Sequence, residues 1–512
     1  MKRQIVNIVN FIRAVEPRVE KDLVTPVREQ IRLMTELGLR GTFLLQYDAL
    51  IQPEYTELLK ALDPAQFEIG IWLETVQPLV EAAGGRWTGR YPWDWHTDCG
   101  FPVGYDKPMR ERMIDEFFLK FKEIFGYYPK VFGSWFFDSH TIRYMTDHYE
   151  IDALCNCKEQ YGTDGYTLWG SYYGQGYYPS RTNVFMPAQT QAEQIKTPLF
   201  RMLGSDPVLQ YDFGVEVDAS EARWQGVVTL EPVYLNYGGG GDPKWVDWYI
   251  GENFNGECLS FGYTQAGQEN SFGWEGMKDG LTMQFKKFAR MQAEGKIVVE
   301  PLGDTGRWYR SVYEKTPAAA IAAHGAFDDP EKSSVWYDSA AYRINLYTDH
   351  GNFRIRDLHI FDEKLPDPFE DTVCTTPTAV YETLPVIDGN RHSGNGVLAR
   401  GYFSDADGKP LTCGELLFED KGNGVAEVRC GGLIFTLEEA AVTIRGEADF
   451  VLAYRHGDTG AHMPEVVSCT EKQLTLRYLG REYGVRLTAG RLENALTVRA
   501  EDGVIRAEIF AD

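Results

Sequence analysis

The chain has 512 residues, 43% of them hydrophobic, enough for two or three packed domains rather than one. Its formal net charge of −24 argues against nucleic acid or an acidic membrane as a general partner, because long-range repulsion opposes both. No run of about 18 apolar residues occurs, so no transmembrane helix is expected.

The N-terminal segment MKRQIVNIVNFIRAVEP is interrupted by Asn7 and Asn10 and lacks a small-x-small cleavage site. It reads as a first strand, and the expected location is cytoplasmic. The cysteines are too sparse for a disulfide scaffold, so buried thiols are expected. Cys155 and Cys157 form a C-x-C with no second pair, which does not support a zinc site.

From residue 1 to 315, strand-like and helix-like patterns alternate. IVNIVNFIR is followed by a helical spacing at Val27, Ile31 and Met34. GTFLLQY and FEIGIWL are the next strands. A long loop containing RWTGRYPWDWHTDCGFPVGYD then leads to a helix with Met113, Phe117, Phe121 and Ile124 on one face. VFGSWFF and DALCNC are strands four and five, and FRMLG, VVTLEPVYL, CLSFGYT and IVVEPL are further candidates. Apolar strands alternating with helices predict a parallel sheet, and their number suits a (β/α)7–8 barrel. Residues 316–335 read as a linker. Residues 336–512 carry short alternating strands with turns at Asp407-Gly408, Gly422-Asn423-Gly424 and Asp502-Gly503, which predicts an all-β, sandwich-like domain.

In a parallel barrel the C-terminal strand ends form the site. Polar residues cluster there: Arg13 and Glu16 after strand one, Glu74 after strand three, then Trp93, Asp94, Trp95 and His96 in the long loop. Asp138 and His140 follow strand four, which also carries Trp135. Glu231, Glu269 and Asn270 accompany the later strands. The bland alternative for Asp138 is a helix cap, with Ser139 as the other candidate. Tyr161, Tyr166, Trp169, Tyr172, Tyr173, Tyr177 and Tyr178 crowd one Gly-rich segment. Such rings stack on sugar faces, though they could equally pack on one another as a plug. His96, His140 and His148 are the histidines of the barrel region and show no H-x-x-x-H spacing, so no metal is expected. In the C-terminal region, Arg354 and Arg356 share a strand face with each other, and Asn345 lies nearby. These could reach the site or form a domain interface.

FGYYPKVFGSWFFDSHTIRYM resembles the helix–loop–strand unit of the glycoside hydrolase/deacetylase barrel superfamily, in which a G-x-x-P turn precedes an active-site strand. GLRGTFLLQYDAL and FEIGIWLE are similar to two neighbouring strands of that superfamily. WDWH, YYPSR, ENSFGW and TGRWY, in this order, resemble a group of bacterial barrel-plus-β-domain proteins of unassigned function. Together these segments cover most of residues 1–360. Polysaccharide deacetylases of the superfamily use an Asp and two His as metal ligands with a catalytic Asp after strand one. This chain departs from that pattern, with Asn7, Asn10 and Arg13 there. Related glycosidase families 57 and 38 place a carboxylate nucleophile after strand four. The resemblance implies Asp138 as nucleophile or base and Glu269 or Glu231 as acid.

The expected function is therefore a glycoside hydrolase acting through Asp138 and Glu269, with His140 as an orienting group and Glu16, Asp94 and His96 as second-choice participants. Arg13, Glu74, Trp93, Trp95, Trp135, Tyr172, Tyr177, Glu231, Asn270 and Asn345 are the expected substrate contacts. No cofactor is expected, the partner is a carbohydrate, and the oligomeric state stays open. The alternatives are a metal-dependent deacetylase-like hydrolase and a non-catalytic carbohydrate-binding protein.

Overall fold

The computed structural model describes residues 2–215, 225, 226, 228–235, 238–457 and 460–512. Seven strands form one parallel path: β1 (Gln4–Ile12), β2 (Gly41–Leu45), β3 (Phe67–Trp72), β4 (Val131–Ser134), β5 (Ala153–Cys157), β6 (Leu199–Met202) and β7 (Gly262–Ala266). Their order is β7-β1-β2-β3-β4-β5-β6, with β8 (Val298–Val299) also paired to β1. All nine residues of β1 are buried, as expected of a strand covered on both faces. The sheet curls until its ends meet, with the rings of Phe200 on β6 and Tyr263 on β7 centred 5.3 Å apart. Among the described residues no ladder joins β6 to β7. The architecture is thus a curled half-barrel of parallel strands with helices between them, coarser than the closed (β/α)7–8 barrel expected.

The later residues form antiparallel sheets. One runs from Ala319–Ala323 through Lys332–Asp338, Tyr342–Asp349 and Asn352–Ile360 to Arg491–Asn494, and a second contains Ala441–Gly446, Gln473–Tyr478, Arg481–Ala489 and Val504–Ala511. The segment 316–335 is more than a linker: its Ala-rich run Ala319–Ala323 is a buried edge strand paired with Lys332–Asp338. VVTLEPVYL is not a strand in its described residues, since Thr229 makes only an isolated bridge to Ser205 and turns follow; Val227 lies outside the described residues.

The barrel loops and the antiparallel sheets share a core. Tyr166–Trp169 pairs in parallel with Ala379–Glu382. Arg343, fully buried, bonds Asp357 at 2.9 and 2.8 Å and the barrel-side Glu159 at 2.6 Å. Arg356 bonds the carbonyl of Val208 at 2.7 Å and pairs with Asp212 at 3.3 Å, so it serves the interface. Arg354 instead pairs with Asp349 at 2.9 Å. Cys155 and Cys157 are buried thiols as expected, whereas Cys413 and Cys430 are disulfide-bonded. No helix among the described residues is long and apolar enough to cross a membrane.

Candidate active site

Side chains alternate along a strand, so Val9, Phe11 and Arg13 point the same way, and Arg13 emerges at the end of β1. Its backbone is clamped by Asn270, which accepts from the Arg13 N–H at 3.0 Å and donates to the carbonyls of Arg13 and Leu23, both at 2.8 Å. The Arg13 guanidinium reaches Glu269 at 2.8 Å, Glu74 at 3.5 Å and Glu16 at 3.9 Å, and stacks over Trp93 at 4.0 Å. Burial alone would lower its pKa, but the three carboxylates outweigh that effect and raise it.

Three buried glutamates surround this end of the sheet. Glu74 accepts from the Trp72 indole at 2.7 Å and Gln46 at 2.8 Å, yet burial pushes its pKa up to about 7. Glu231 is also pushed up to about 7 by burial; its bonds from Thr229 at 2.8 Å and Gln268 at 3.3 Å only partly oppose this, and the charge of Glu269 adds to the rise. Glu269 is raised by burial against the pull of Arg13 and of a 2.5 Å bond from the Ser271 hydroxyl. Burial therefore outweighs the ion pairs on the acid side. Arg13 supplies a cation to Glu269, whereas among the described residues no cation pairs directly with Glu231.

Two small cavities meet at Glu269. One is lined by Val9, Phe11, Trp72, Glu231, Gln265 and Gln268, the other by Arg13, Glu74, Trp93, Trp95, Trp135 and Tyr166. Phe11 stacks on Trp72 at 3.9 Å, with Trp135 edge-on to both at 5.4 and 5.2 Å. Gly133 makes this possible, because a Cβ there would lie 2.7 Å from the Trp72 ring. Each cavity offers about 20 Å³, room for a water molecule and not for a sugar ring. The second is roofed by Arg18, which lies 5.0 and 5.2 Å over Trp93 and Trp95 and is held by Glu16 at 2.7 and 2.6 Å. That bidentate pair also lowers the pKa of half-buried Glu16 despite its burial.

The structure brings together Arg13, Glu16, Glu74, Trp93, Trp95, Trp135, Glu231, Glu269 and Asn270. It does not add Asp138. β4 ends at Ser134, and Asp138 is the N-cap of the helix Ser139–His148. Asp138 accepts from the Thr141 N–H at 2.9 Å and hydroxyl at 2.7 Å and pairs with buried Arg110 at 2.9 Å. The capping alternative thus describes Asp138, and it lines neither cavity. His140, on that helix, bonds Glu111 at 3.0 Å. Asp94 is held by Arg90 at 2.8 and 2.7 Å, which overcomes burial and lowers its pKa to about 2. His96 sits edge-on to Trp95 with ring centres 6.1 Å apart, outside the cavities. Asn345 lies within an antiparallel sheet, bonded to Ser334 and Arg356.

The tyrosine-rich segment is mostly a plug. Tyr172 and Tyr177 are fully buried and donate to the carbonyls of Pro317 and Val184 at 2.7 and 2.9 Å. Tyr173 stacks on Trp336 at 3.8 Å, and Trp169 donates to Asp388 at 2.8 Å. Of this segment, Asp164 and Tyr166 line the site. Sequence reading missed Phe11, Arg18 and Trp72. The period-two alternation through Val9, Phe11 and Arg13, and through Trp72 and Glu74, would have found two of them.

The family model of a domain of unknown function with a solved structure, DUF3863, matches residues 106–320. No curated protein matches the chain. A Parabacteroides distasonis protein described as a candidate glycoside hydrolase/deacetylase is similar in structure, with a TM-score of 0.55 and 15% identity over 75% of this chain and 91% of its own. Candidate polysaccharide deacetylases from Mycobacterium smegmatis and Pseudomonas aeruginosa align more loosely, with TM-scores of 0.36 and 0.34 and identities of 14% and 12%. They cover 60% and 61% of this chain and 91% and 92% of their own. The chain shares the fold of the Parabacteroides distasonis protein.

Proposed function

We propose that the protein hydrolyses a glycosidic bond, with Glu231 as proton donor and Glu269 as the facing carboxylate. Such cleavage needs one carboxyl that keeps its proton and one that is ionised. The observation that carries this reading is that Glu231 and Glu269 line one cavity, where burial holds Glu231 at about 7 while Arg13 lies 2.8 Å from Glu269. Glu231 gives its proton to the leaving glycosidic oxygen as the C–O bond breaks. Glu269 either attacks the anomeric carbon or takes a proton from an attacking water. Glu74 shares Arg13 and tunes the charge on Glu269. Trp93, Trp95, Trp135 and Tyr166 offer aromatic faces to the sugar. Entry of a sugar ring requires Arg18 to swing off Trp93 and Trp95.

The fold serves deacetylation equally well; the donor set is what favours glycoside hydrolysis. A divalent cation would need clustered His and carboxylate ligands. Among the described residues no group of three or more His, Cys, Asp or Glu is placed to hold a metal ion, and the cationic position between Glu74 and Glu269 is filled by Arg13. The described residues at this position therefore do not fit a divalent cation. A panel of aryl glycosides tests the proposal: turnover of one of them, lost in Glu231→Gln and Glu269→Gln, is expected. Full activity in both variants would refute it.

A further inference from the structure

A separate cavity of about 160 Å³ lies between the two large antiparallel sheets. Ile344, Ile355 and Leu358 line it from one sheet, and Ile444, Leu476 and Val485 from the other. The polar groups at one end are already satisfied: Tyr454 Oη and His392 Nδ1 are 2.6 Å apart, and His392 Nε2 lies 2.7 Å from the carbonyl of His462. Those bonds meet the demand of Tyr454 and His392, and apart from His456 the rest of the lining is apolar. Its rim includes Val466 and Leu496, which are 49% and 41% exposed, so the apolar lining continues to the surface.

An unfilled apolar space forfeits the contacts its walls would otherwise make, and cores are normally packed to avoid it. A dry cavity of about 150 Å³ lined by aliphatic side chains is large enough to hold benzene. We propose that this cavity binds the apolar part of a small molecule, a short alkyl chain or a single aromatic ring, entering past Val466 and Leu496. The site is distinct from the carboxylate cluster and does not depend on the reaction proposed there.

Butylbenzene is the probe. Calorimetric titration of the full-length chain should show saturable one-to-one binding, with a melting temperature that rises with ligand concentration. Ala507→Phe and Ile509→Phe place a ring in the cavity from half-buried positions and should each weaken binding by about tenfold or more. Absence of saturable binding, or binding undiminished in a folded filling variant, overturns the proposal. If neither variant folds, crystals of the unmodified chain under xenon decide it: xenon between Ile444 and Leu476 is expected, and its absence overturns the assignment.

Discussion

Replacing Asp138 separates a structural carboxylate from a chemical one. Its Oδ1 accepts from the Thr141 N–H and from Arg110, both at 2.9 Å, and its Oδ2 accepts from the Thr141 hydroxyl at 2.7 Å. Arg110 also donates to the carbonyls of Tyr105 at 2.7 Å and Phe369 at 3.0 Å, so it ties the barrel to the C-terminal segment. Asp138→Ala removes a helix cap, worth about 1 kcal/mol, and leaves a buried guanidinium without its carboxylate, which costs about 3–5 kcal/mol. The two contributions share Oδ1 and do not simply add. Neutralising Asp138 also relieves Asp367, which burial and the charge of Asp138 push up to about 6. The expected loss is about 3–4 kcal/mol for Asp138→Ala and about 2 kcal/mol for Asp138→Asn, which keeps an acceptor. Denaturant unfolding measures the loss, and turnover per folded molecule of an aryl glycoside measures the chemistry. A stability change below about 1 kcal/mol combined with abolished turnover would refute the structural assignment.

Other consequences concern charge and cross-linking. Glu74 and Glu231 have native pKa values raised from 4.5 to about 7, so the folded chain holds protons that the unfolded chain releases in that window. Their contribution to stability is fully present below 4.5 and is lost as pH rises through about 7. Glu231→Gln should flatten that pH dependence of the melting temperature, and in the unmodified chain the proposed turnover should fall as pH rises through about 7. Arg13→Met should cost about 3–5 kcal/mol near neutral pH and less in acid, where Glu74 and Glu269 neutralise by protonation; denaturation at two pH values compares them. Cys413→Ser opens a loop closed across 17 residues and should lower stability by about 3 kcal/mol, read as an earlier unfolding midpoint.

The parallel strands were legible because both faces are covered, which leaves near-continuous apolar runs such as Gln4–Ile12. Sheet closure was not, since it depends on how β6 meets β7 and no local pattern records that. Arg13, Glu74, Glu231 and Glu269 were legible as polar residues where apolar strands end. Asp138 misled because a strand-end carboxylate and a helix N-cap look alike until the strand's last residue is known, and β4 stops four residues short of Asp138. The tyrosine segment misled for a related reason: aromatic rings between glycines suit a sugar platform and a buried plug equally. Here the neighbouring antiparallel sheets decide, through Trp336 and Asp388. The Arg343–Glu159–Asp357 network was invisible, because Glu159 lies 184 residues from Arg343.

The central claim is that Glu231 and Glu269 form a working acid–carboxylate pair. It is tested most directly by turnover of an active aryl glycoside across pH in the native chain, Glu231→Gln and Glu269→Gln. Loss of about 10²-fold or more is expected in each variant, with a native basic limb near 7. Unchanged turnover in folded Glu231→Gln and Glu269→Gln would contradict it.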